Sequence, residues 1–120
     1  MAEEIKKRSR KQKLSGNTYQ TKTGCGTLYV TINEDDVGIF EVFATMGKAG
    51  GCAASQIEAI GRAISLGLRY GIPHEQFIKQ FRGITCHSAL VIGDDKTLSC
   101  ADAIAKAIQQ HIKTKGSIDG

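Results

Sequence analysis

The sequence predicts an α+β domain: a small antiparallel sheet built on a hairpin, with two main helices and one short helix packed on one face. Three observations carry this. Two β-branched and aromatic runs flank an acidic, glycine-containing turn between residues 26 and 46. After Met46 the apolar period changes from two residues to about 3.6. The chain has 120 residues, enough for one modest core and too few for a second.

The elements follow in order. Residues 1–16 show no apolar period, so the globular part is expected over 17–114, between a basic disordered tail (1–16) and a C-terminal tail (115–120). From Gly26 the chain reads Gly-Thr-Leu-Tyr-Val-Thr-Ile-Asn, then Glu-Asp-Asp-Val-Gly, then Ile-Phe-Glu-Val-Phe-Ala-Thr-Met, which predicts a hairpin. Leu28, Val30 and Ile32 alternate with Tyr29 and Thr31, and Phe40, Val42 and Ala44 alternate with Glu41 and Phe43. One hairpin face should therefore be buried. A helix over 52–70 carries Ile57, Ile60, Ile64 and Leu68 on one stripe, and Gly71 and Pro73 end it. A short helix from Pro73 to Arg82 should bury Phe77, Ile78 and Phe81 before Gly83 stops it. Ala89–Ile92 reads as a strand and Gly93–Asp95 as a turn. The last helix, 100–113, has the stripe Ile104, Ile108 and Ile112, with Ser99 and Asp102 suited to its first turn.

Charge is unevenly placed. Lys6, Lys7, Arg8, Arg10, Lys11 and Lys13 against Glu3 and Glu4 give residues 1–14 the whole net charge of +4, so the rest of the chain balances to zero. A basic arm can hold phosphates, and a nucleic-acid module acting through residues 1–14 is one reading. No aromatic is interleaved for base stacking, so a solvated leader is preferred. No run approaches the ~18 apolar residues of a membrane span, and no apolar stretch follows the N-terminal charges. A cytoplasmic protein with no membrane partner is expected.

In that compartment four cysteines argue against a disulfide scaffold. Each lies at an element boundary. Cys25 stands between Gly24 and Gly26 at the mouth of the hairpin, and Cys86 follows the short helix. Cys52 and Cys100 open helices, where the macrodipole favours a thiolate. Four thiolates complete a tetrahedral zinc set, although no CxxC pairing is present. Burial as small hydrophobes and thiol redox chemistry remain open. If the long helices pack with parallel sense, the four thiols meet at one end of the domain. Of His74, His87 and His111 only His87, next to Cys86, could replace it as a ligand or carry a proton, and an exposed loop histidine with no role is the preferred reading. Gly47–Gly51 could cradle an anion at a helix start, but it lacks the phosphate-loop order and is better read as a strand-to-helix turn. Glu58 and Arg62 suit a surface pair. No catalytic or cofactor-binding residue is assigned.

Gly24-Cys25-Gly26-Thr-Leu-Tyr-Val-Thr-Ile-Asn33, Phe43-Ala-Thr-Met-Gly-Lys-Ala-Gly-Gly-Cys52, Gln56-Ile-Glu-Ala-Ile-Gly-Arg62 and Thr97-Leu-Ser-Cys-Ala-Asp102 resemble the TSCPD domain. That domain is found near the C-terminus of cobalamin-dependent (class II) ribonucleotide reductases and as a stand-alone small protein. The resemblance covers residues 18–112 in order, with all four cysteines at motif positions. Ala101 stands where the family usually has proline, in the first helical turn, and leaves Cys100 in place. The resemblance implies a stand-alone accessory domain of a ribonucleotide reductase system for deoxyribonucleotide synthesis, docking on a separate catalytic subunit that carries the cobalamin. The chain holds no large catalytic barrel, so a ribonucleoside-diphosphate reductase label would describe context, and independent activity is not expected. On this reading Cys25, Cys52, Cys86 and Cys100 hold a zinc ion that staples the small core. A thiol relay passing electrons to the reductase is the alternative, and metal content separates the two.

Overall fold

The computed structural model describes residues 6–47, 51–86, 89–92 and 95–119. Its elements are β1 (Ser15–Thr23), β2 (Gly26–Glu34), β3 (Ile39–Met46), α1 (Gly51–Arg69), α2 (His74–Phe81), β4 (Leu90–Ile92), β5 (Asp95–Thr97) and α3 (Cys100–Asp119). β1, β2 and β3 form one antiparallel sheet in that order, and β4 and β5 form a separate short hairpin. The architecture is α+β, as the change of period requires. No helix among the described residues is long and apolar enough to cross a membrane.

The hairpin register pairs Leu28 with Met46, Val30 with Ala44 and Ile32 with Val42, so one face is a block of apolar side chains. They meet Ile57, Ile64 and Leu68 of α1 and Ala103, Ile104, Ala107 and Ile108 of α3 in one core. Ile60 packs on that core half-buried. Gly61 lies against the Val42–Ala44 backbone and Arg69 reaches Glu41, so α1 runs antiparallel to β3. Cys100 touches Thr23, while His111 touches Glu34 at the far end of β2, so α3 runs along β2. Both long helices therefore start at the same end of the sheet.

Four features depart from the sequence reading. The first is β1, which begins at Ser15 and pairs from Ser15↔Glu34 to Thr23↔Gly26. Its sequence, Ser-Gly-Asn-Thr-Tyr-Gln-Thr-Lys-Thr, lacks the apolar alternation of a half-buried strand, because an edge strand can carry polar side chains on both faces.

The second is Glu41, expected on the solvent side of the hairpin and fully buried. The β2–β3 register slips after Asn33, where Phe40 is the extra residue of a bulge. Arg10 donates from Nε at 3.1 Å and Nη2 at 3.2 Å to the two Glu41 oxygens. Asn33 Nδ2 adds 2.7 Å and Arg69 Nη2 3.4 Å. The guanidinium groups of Arg8, at 5.1 Å, and Arg69, at 4.9 Å, each lie over the Phe40 ring. Arg8 also donates its backbone N–H to the Arg69 carbonyl at 2.9 Å, and Lys11 pairs with Asp36. The basic segment, with almost nothing apolar to bury, is held against the body through its cations. Beside it, Ser65 Oγ bonds both the N–H and the carbonyl of Val42 at 2.9 Å. A Cβ on Gly61 would stand 3.2 Å from the same carbonyl oxygen, so α1 covers the β3 edge closely.

Burial opposes the charge of Glu41, but the Arg10 and Asn33 hydrogen bonds and the Arg10 and Arg69 charges outweigh it and hold the carboxyl below the usual carboxylate range. A group lowered in this way stabilises the fold above its unfolded pKa. As pH falls towards the folded pKa the unfolded chain binds more protons, and the contribution is lost. The melting temperature is expected to drop as pH falls below about 4, with Glu41→Gln flattening part of that drop. A fall of unchanged steepness in the variant would remove Glu41 as a source.

The third is α2, expected to bury Phe77, Ile78 and Phe81, which are only half-buried; the helix has no fully buried residue. It lies over α3 and over Gly67 of α1, where an added Cβ would come within 2.6 Å of Phe77 Cζ. The fourth is α3, which continues beyond Lys113 to Asp119 and leaves Ile112 37% exposed. A four-residue step overshoots one turn by about 40°. The stripe therefore rotates outward after Ile108, and His111 takes the buried position.

Candidate functional site: the cysteine end of the domain

β1 and β2 are joined by the two-residue turn Gly24-Cys25, which leaves Cys25 exposed at the hairpin tip. The turn is secured by buried Thr23, whose Oγ1 donates to the Gly26 carbonyl at 2.9 Å and accepts the Cys25 N–H at 3.1 Å. The same hydroxyl receives the Cys100 thiol at 3.6 Å. One threonine thus ties the hairpin tip to the first residue of α3.

A second tie comes from Asp102. Ser99 caps α3 by accepting the Asp102 N–H on its Oγ at 3.1 Å. The buried Asp102 carboxylate then accepts the Gly83 N–H at 2.9 Å and the Leu98 N–H at 3.3 Å. Arg82 and Lys106 each approach it at 3.4 Å. The Leu98 carbonyl in turn accepts the Cys86 N–H at 2.9 Å. The α2 exit, the β5 exit and the loop carrying Cys86 are therefore fastened to the first turn of α3. Burial opposes the Asp102 charge, yet the Gly83 and Leu98 donors and Lys106 outweigh it and keep the carboxyl below its ordinary range.

These ties bring the Cys25 turn and Cys100 to one hydroxyl, that of Thr23, and fasten the Cys86 loop to Leu98, just before the same helix. Cys86 and Cys100 are half-buried, and Cys25, Cys86 and Cys100 are all free thiols. The helix start does not leave Cys100 as a ready thiolate. Burial pushes its thiol up; the Thr23 hydrogen bond opposes this, and the Cys25 and Cys86 thiols add to it.

The fourth residue, Cys52, lies in the first turn of α1. Gly47 donates to the Thr27 carbonyl at 2.9 Å, so the chain leaves β3 beside the start of β2, near Cys25. The Cys52 side chain lies outside the described residues, as do His87 and residues 48–50 and 93–94 of the expected turns. Among the described residues, which include Cys25, Cys86 and Cys100, no group of three His, Cys, Asp or Glu side chains is placed to hold a metal ion. His74 contacts Glu75 at 3.1 Å. His111 belongs to the opposite end, where Nδ1 meets the Tyr19 hydroxyl at 2.8 Å and Nε2 meets Glu34 at 2.6 Å. Thr23 has no sequence signal beyond its place two residues before Cys25. Asp102 had one, as the acid of the Ser99–Asp102 motif, but only its helix-start role was legible.

The TSCPD domain family model matches residues 3–112, which include all four cysteines, Thr23 and Asp102. The chain belongs to the TSCPD domain family. It is 32% identical over 98 residues to vitamin B12-dependent ribonucleotide reductases of Streptantibioticus cattleyicolor and Streptomyces clavuligerus, covering 81% of this chain. A similar protein of Bradyrhizobium diazoefficiens is 34% identical over 67 residues, or 55% of this chain. The chain spans 16% of the first relative, 10% of the second and 5% of the third, so it is similar to one segment of each. No solved structure matches it. Within this TSCPD domain, two of the family segments, around Gly24–Gly26 and Thr97–Asp102, meet through Thr23 and Cys100.

Proposed function

We propose that this TSCPD domain is an accessory module of a ribonucleotide reductase, docking on the catalytic part and stapled by one zinc ion on Cys25, Cys52, Cys86 and Cys100. The reductase link rests on the similarity to segments of vitamin B12-dependent reductases. Cobalamin belongs to the catalytic part on this reading, and no residue here is proposed to bind it. The observation that supports the metal is that Thr23 ties the Cys25 turn to Cys100 while Leu98 ties the Cys86 loop to the start of the same helix, with Cys52 opening the neighbouring one. A soft thiolate set suits zinc. Zinc bound there would cross-link four loops of a small core and contribute directly to folding. The raised Cys100 thiol must lose its proton on binding, so retention of the metal weakens as pH falls.

Metal analysis of anaerobically purified protein is expected to find about one zinc per chain. Cys25→Ser and Cys100→Ser should each lower both zinc content and melting temperature, and a chelator should do the same to the wild type. Metal-free protein with an unaltered melting temperature would remove the zinc staple. The free thiols of Cys25, Cys86 and Cys100 would then favour a thiol relay to the reductase. Docking is tested by co-elution with the reductase catalytic chain of the same organism. Nucleic-acid binding through residues 1–14 has less support, because Arg10 and Lys11 are engaged by Glu41 and Asp36.

A further inference from the structure

α2 and α3 leave between them an open groove of about 720 Å3, on the side of α3 away from the sheet. Ile78 and Ile112 supply its apolar lining, and Arg82, Lys106 and Lys113 are its cations. No acidic residue is among the described residues that line it. Buried Asp102 contacts both Arg82 and Lys106 from beneath, and with exposed Lys113 they make the described lining of the groove basic. Ile112 is 37% exposed and Ile78 half-buried, so both have apolar surface left to desolvate.

We propose that this groove is the surface by which the domain holds its reductase partner, and that its occupant is an acidic amphipathic helix of that partner. The proposal rests on the accessory reading above and specifies where docking occurs. A channel between two helices accepts a third, whose apolar residues at i, i+3, i+4 and i+7 cover the isoleucines. Glutamates on its flanks would face Arg82, Lys106 and Lys113, which adds steering and register to the apolar contact. A nucleic acid suits the groove less well, since its lining offers aliphatic side chains and no aromatic platform for bases.

The test uses the full chain and two probes: the reductase catalytic chain, and a labelled peptide with leucines at i, i+3, i+4 and i+7 and glutamates between them. Ile112→Glu and Lys113→Glu alter exposed positions, and unchanged melting confirms that each variant folds. Lys22→Glu, on exposed β1, is the control. Both probes are expected to bind the wild type and the control alike, to weaken at high salt, and to lose about tenfold or more in affinity with either groove variant. Reductase that binds the wild type and both groove variants equally overturns the groove and leaves the accessory reading standing. Peptide that binds none of the proteins, or is displaced by duplex DNA at lower concentration than by unlabelled peptide, overturns the acidic-helix assignment. Peptide binding with the expected pattern but no reductase binding removes the accessory reading and retains the groove.

Discussion

Truncating Ile108 to alanine is expected to destabilise the domain by about 2–5 kcal/mol. Ile108 is fully buried and belongs to the one core in which the sheet meets both long helices. The surrounding atoms come from separate elements and can close the resulting cavity only in part, so lost transfer energy and lost contacts add. Ile112, one turn later on the same helix, provides the internal comparison. It is 37% exposed, and Ile112→Ala should change stability by no more than about 0.5 kcal/mol. Urea unfolding of the two variants measures the difference. Equal losses would mean that α3 presents a different face to the sheet.

Asp102→Ala is expected to cost about 2–4 kcal/mol, mostly through the backbone amides it leaves behind. Gly83 and Leu98 each lose an acceptor in a part-buried setting, and an unmade hydrogen bond of that kind costs more than a made one contributes. Arg82 and Lys106 are exposed enough to turn to solvent, so their ion pairs with Asp102 add little. The loss should have a local signature. Amide exchange at Gly83 and Leu98 should accelerate, and the Cys86 thiol should react faster with a thiol reagent, because its loop hangs from the Leu98 carbonyl. Asp102→Asn keeps one acceptor oxygen and should fall between. Unaltered exchange at both amides in the alanine variant would show that the acid does not hold the Cys86 loop.

The strongly periodic segments were legible in the sequence. The β2–β3 hairpin, α1, α2 and the start of α3 all follow from alternation, apolar stripes and glycine or proline stops. β1 was not, because Tyr19 is its only large apolar residue and its order comes from pairing along the whole of β2. The burial of Glu41 was not, because a bulge at Phe40 and the return of Arg10 along the β3 edge are long-range events. Nor was the drift of the α3 stripe, whose spacing of four residues only approximates a turn.

For the candidate site, the sequence by itself determined which four cysteines lie at element boundaries and that two of them open helices. It also determined the family, since the motifs run in order along the chain. Only the tertiary structure decided that α1 and α3 run in the same sense, so that both start at the end of the sheet where Cys25 turns the chain. Only it showed that Thr23 ties the Cys25 turn to Cys100, that Asp102 holds Leu98, from which the Cys86 loop hangs, and that the Cys100 thiol is raised rather than lowered. The physical reason is range. Periodicity and capping act between residues a few positions apart, whereas burial and the Thr23–Cys100 contact join residues distant in sequence.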